Sequence, residues 1–89
     1  MNIDIIDAAM SHSKEDGYIG RVEFSVEHQA HPYEITLHSK NAKEWMYSLN
    51  FARESGPEKD ILLLEEQLEE DDELFDRLVE AAKSRLVQE

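Results

Sequence analysis

Cysteine is absent from the 89 residues, which removes disulfides, thiolate nucleophiles and cysteine-based metal sites together. A small domain without such staples relies on packing alone or on a partner. Only three glycines and two prolines are present, too few for a glycine-rich phosphate loop or a proline-rich linker. Basic residues are scarce as well: nine Lys and Arg stand against twenty-one Asp and Glu, a formal net charge of −12. Sequence-independent nucleic-acid binding depends on neutralising phosphates with basic side chains, and adhesion to anionic lipid has the same need. Both are therefore excluded as direct activities. The longest apolar run, Ile61-Leu62-Leu63-Leu64, falls far short of the ~20 residues that span a bilayer. From Met1 to Asp7 there is no basic region, and carboxylates stand where an export signal is apolar. The expected location is the cytoplasm.

What is present suffices for a core. Hydrophobic residues make up 40% of the chain, and their clear periodicity favours a folded domain over a disordered acidic segment. The length allows one domain, residues 1–89.

Along the chain, Ile5, Ile6, Ala9 and Met10 gather on one side of an expected amino-terminal helix within Asn2–His12, although Ile3 and Ile5 also fit a short strand. Ser11 to Gly17 is polar, ends in glycine and reads as a loop. From Tyr18 the period becomes two. Val22, Phe24 and Val26, then Tyr33, Ile35 and Leu37, then Trp45, Tyr47, Leu49 and Phe51 alternate with polar neighbours. These runs predict a three-stranded antiparallel meander over about 18–52, with the aromatics on its buried face. Placing the apolar sets of the first two runs face to face requires paired residue numbers with an odd sum, 59 or 61. A sum of 61 opposes Glu27 to Glu34 and Arg21 to Lys40, so 59 is the expected register.

Ser55-Gly56-Pro57-Glu58 has the chemistry of a helix start, with serine three residues before glutamate and proline in the first turn. Ile61, Leu64 and Leu68 form one stripe, and Leu74, Phe75, Leu78, Val79, Ala82 and Leu86 form another, with Lys83 and Arg85 near the end. Glu69 to Glu73, between them, is wholly acidic. A break is expected there, capped by Asp71 or Asp72, which divides a helical segment of about 56–87 into two helices. The predicted fold is α+β: an amino-terminal helix, a three-stranded antiparallel meander and two carboxy-terminal helices packed on one sheet face.

Catalytic patterns are missing. His28 and His31 flank a predicted hairpin loop beside Glu27, with His12 and His38 elsewhere, but neither a convergent third ligand nor the helical His-Glu-x-x-His spacing accompanies them. Glu23, Glu34, His38 and Glu44 are expected on the wet sheet face, a poor setting for an acid–base pair. The serines lack the Gly-x-Ser-x-Gly elbow. No catalytic, cofactor-binding or metal-binding residue is nominated, and the expected protein is not an enzyme.

The charge is lopsided. Residues 54–89 hold thirteen acids and four bases, a net −9, which leaves −3 for residues 1–53. Seven of the nine residues from Glu65 to Glu73 are carboxylates: Glu65, Glu66, Glu69, Glu70, Asp71, Asp72 and Glu73. The acids do not alternate as a calcium loop requires. The expected role is a protein–protein interaction module whose acidic surface steers an unidentified partner with a basic surface. In size, charge and element order the chain resembles phage-encoded inhibitors that imitate DNA, anti-CRISPR proteins among them, without a residue-by-residue motif. That resemblance implies an alternative role, as a DNA mimic occupying a nucleic-acid-binding protein. The last strand is also a candidate sheet edge for homodimer formation, with Lys43 and Arg53 flanking it.

Overall fold

The segment expected as an amino-terminal helix is a strand. A computed structural model describes residues 2–86, and its elements are β1 (Ile3–Ser13), β2 (Gly17–Val26), β3 (Tyr33–Ser39), β4 (Met46–Phe51), α1 (Glu58–Glu70) and α2 (Asp72–Lys83). The strands form one antiparallel four-stranded sheet in the order β1-β2-β3-β4. The predicted three-stranded sheet thus gains a fourth strand in place of the helix.

The cause of the misreading lies at Ile6. Ile3 pairs with Val26 and Ile5 with Phe24, whereas Asp7 pairs with Glu23 and Ala8 with Val22, so the register shifts between Ile5 and Asp7. A bulge of this kind inserts one residue and switches the parity of the strand. Ile3, Ile5, Ala8 and Met10 thereby share the inner face, while Ile6 and Ala9, which the helix reading grouped with Ile5 and Met10, are exposed. Gly17, at φ +76°, closes the β1–β2 hairpin, and a Cβ there would lie 2.6 Å from the Ser39 carbonyl oxygen. Only glycine fits that turn without strain.

In the β2–β3 pair, Val22 meets Ile35 and Phe24 meets Tyr33. The parity is as expected, but the sum is 57 instead of 59 or 61. β2 pairs with β1 as far as Val26 but with β3 only as far as Phe24, so the turn is wider than either tighter register allows. His28 adopts φ 69° in that turn, and the Gln29 N–H donates to the Val26 carbonyl at 3.0 Å. This register opposes Glu23 to Glu34. Arg53 lies 3.0 Å from Glu23 and Arg21 lies 3.7 Å from Glu34, which relieves the like-charge contact.

The core joins the inner sheet face to both helices. Val22, Phe24, Tyr33, Ile35, Leu37 and Leu49 pack with Leu64 and Leu68 of α1 and with Leu74, Leu78, Val79 and Ala82 of α2. Tyr33 stacks between Phe24 and Phe51, at centroid separations of 5.9 and 5.1 Å. Helix α1 begins after Pro57 with no side-chain cap, so Ser55 does not serve as predicted. The preceding Gly56 lies so close to His31 and Phe51 that a Cβ would approach them to 2.6 and 2.9 Å. Close packing, not a capping box, sets the entry to the helix.

The break falls at Asp71. Its carboxylate accepts from the Leu74 N–H at 3.2 Å while its own N–H donates to the Gln67 carbonyl at 2.8 Å. Two short helices thereby place Leu64 and Leu68, then Leu74 and Leu78, in one core. Helix α2 ends at Lys83, short of the expected 87, which lies outside the described residues. Leu86 instead forms a parallel bridge with Met10 of β1, and Arg77 donates to the Ile3 carbonyl at 3.2 Å. Among the described residues, no helix is long and apolar enough to cross a membrane.

Candidate interaction surface

Burial of Leu64 and Leu68 fixes the rotation of α1. Glu66, Glu69 and Glu70 are thereby turned to solvent, with Glu65 half-buried at the flank. Across the break, Asp72 and Glu73 are exposed and Asp71 is half-buried. The seven predicted carboxylates therefore share one end of the helix pair but do different work. Asp71 is committed to capping α2. Glu69 accepts from the Tyr47 hydroxyl of β4 at 2.7 Å. Burial, this hydrogen bond, and the charges of Glu69 and Glu65 push the Tyr47 phenol up to about 12. Glu66, Glu70, Asp72 and Glu73 remain as solvent-facing charges. Among the described residues, the ion pairs of Lys and Arg all lie elsewhere, at Arg21–Glu34, Arg53–Glu23 and Lys83–Glu80.

Two apolar residues join this surface that the charge pattern did not single out. Leu62 is 53% exposed and Leu63 57% exposed, and both lie within a turn of Glu66. The signal was present in the run Ile61-Leu62-Leu63-Leu64. Four consecutive helical positions span roughly 300° of arc, so they cannot all face one core.

The histidines are dispersed. His28 extends toward Glu27 at 3.6 Å, His31 packs edge-on to Phe51 at a centroid separation of 6.2 Å, and His12 tilts against Tyr18 at 4.5 Å. Among the described residues, no three His, Cys, Asp or Glu side chains converge as a metal would require. On the outer sheet face, Glu23 and Glu34 are cross-strand partners, and His38 Nε2 is bound to the Asp16 carbonyl at 2.8 Å. Glu44 belongs to the β3–β4 loop, where its N–H donates to Asn41 Oδ1 at 3.1 Å. A depression of about 270 Å³ does lie there, lined by His38, Ser39, Lys40, Asn41, Glu44 and Met46. Its buried hydroxyl, that of Ser39, accepts the Ala42 N–H at 2.9 Å and meets Asn41 Oδ1 at 3.2 Å. These groups hold the loop together.

No protein-family model, curated protein or solved structure matches the chain.

Proposed function

We propose that this chain is a non-enzymatic protein–protein interaction module that presents its acidic helical surface to a partner with a basic surface. The observation that carries this reading is the display of Glu66, Glu70, Asp72 and Glu73 toward solvent with no ion pair formed by any of them among the described residues. Unneutralised like charges repel one another and cost stability, and a field of one sign accelerates encounter with a cationic surface. Leu62 and Leu63 add apolar contact area within the same field.

The test is affinity capture at low and high salt with the native chain and with a variant carrying Glu66→Lys, Glu70→Lys, Asp72→Lys and Glu73→Lys. Glu69 and Asp71 stay unchanged, which keeps the Tyr47 contact and the α2 cap. A partner retained by the native chain at low salt should be released at high salt and should not bind the variant. Retention that is indifferent to both changes, or no retained partner at all, overturns the reading.

A further inference from the structure

The two edges of the sheet are unlike. β1 carries a bulge at Ile6, two carboxylates at Asp4 and Asp7, and the Leu86 bridge at Met10, devices that discourage another strand from pairing. β4 has none of them within the strand, and the flanking cations Lys43 and Arg53 lie beyond its two ends, Arg53 being paired with Glu23. The strand sequence Met-Tyr-Ser-Leu-Asn-Phe contains no charge and no proline, and its pairing with β3 runs without a register shift. Beyond the strand ladder, the backbone hydrogen bonds among the described residues leave the outer side of Met46–Phe51 unengaged. An uncharged edge of unbroken register is a template for strand addition.

Neighbouring groups indicate the occupant. Helix α1 runs beside this strand, and Glu69 reaches Tyr47 at 2.7 Å, with Glu65 one turn earlier on the same flank. An added strand would therefore lie under two carboxylates on its inner side. On the other side it would meet Met46, which at 72% exposure is the most exposed large hydrophobic residue described. A second copy of this chain would set its own Glu65 and Glu69 against these and double a net charge already at −12. A cationic segment meets the opposite sign. We propose that β4 accepts an extended segment of a partner protein, alternating basic and apolar residues, as a fifth strand beneath Glu65 and Glu69. The inference rests on the acidic-surface reading and gives its partner a conformation and a sequence pattern.

Three probes test it on the full chain at low salt: a short peptide alternating lysine and valine, the same peptide with alternate backbone nitrogens methylated, and polylysine. Affinity and residue-resolved amide exchange are read for each. The unmethylated peptide should slow exchange within Met46–Phe51 and bind at least about tenfold more tightly than its methylated form, which keeps the charge but cannot complete the ladder. Glu65→Gln with Glu69→Gln should weaken that peptide and leave the β4 protection in place. Equal affinity of the two peptides, or binding without β4 protection, overturns the inference; if polylysine still binds, the acidic-surface reading stands. Failure of polylysine to bind overturns that reading and this one with it. Concentration-dependent protection of β4 without any peptide would assign the edge to a second copy and also overturn the inference.

Discussion

Asp71 and Ser55 both had the sequence context of a helix cap, and only Asp71 caps. The difference is local geometry: the Asp71 carboxylate reaches the Leu74 N–H, whereas the chain around Gly56 is held by contact with His31 and Phe51, with Pro57 at the N-cap. Asp71→Ala should therefore cost about 1 kcal/mol in urea unfolding, and Ser55→Ala no more than a few tenths. Equal losses at the two positions would contradict the assignment. Tyr47 offers a second residue-level test. Its phenol ionises near 10 in the unfolded chain and near about 12 in the folded one, so the native state holds the proton more tightly. That contribution is complete below pH 10 and is lost as the pH rises through about 12. Phenolate absorbance should show a late-titrating group that Tyr47→Phe removes and that Glu69→Gln shifts to lower pH. An unchanged titration in both variants would reject the contact.

Within single elements, the division of α1 into two faces is the clearest energetic claim. Leu64 is fully buried, while Leu62 and Leu63 are more than half exposed. Leu64→Ala should cost about 2–5 kcal/mol, and Leu62→Ser or Leu63→Ser only about 0.5 kcal/mol or less. Denaturant midpoints measured side by side check the rotation of the helix. Legibility from sequence follows the same element-by-element logic. Strands β2 to β4 were readable because each keeps strict alternation, and the helix break was readable because two apolar stripes flank an all-acidic stretch. β1 was not readable, since one inserted residue at Ile6 interrupts the period of two and leaves Ile5, Ile6, Ala9 and Met10 to be grouped as a helical stripe. The β2–β3 register was legible in parity but not in value, because the ladder ends at Phe24–Tyr33 and the connection between them carries no short-hairpin signature that fixes its length. Of the candidate surface, the carboxylates were visible as composition. Their separate roles depended on Tyr47 coming within hydrogen-bond reach of Glu69, a tertiary contact across 22 residues.

At the scale of the molecule, charge and shape act together. The described body measures 38 × 24 × 19 Å, so at low ionic strength, where the screening length is about 30 Å, most of its charges feel one another. Raising the salt to about 0.15 M shortens that length to ~8 Å and should raise the melting temperature by relieving repulsion within the helical half. The variant reversed at Glu66, Glu70, Asp72 and Glu73 should gain less. A melting temperature indifferent to salt would show that the concentrated charge is not a source of strain.

The Met10–Leu86 bridge and the Arg77–Ile3 contact tie the first strand to residues more than seventy positions away, whereas every strand pair joins consecutive elements of the chain. Closing a long loop costs more entropy than closing a short one, so short-range pairings lead and distant ones follow. The hairpins are thus poised to form first, and docking of α2 across β1 and β2 comes last. Until that step the inner face of β1 and β2, Phe24 included, is open to water, which makes the final helix a shield against self-association during folding.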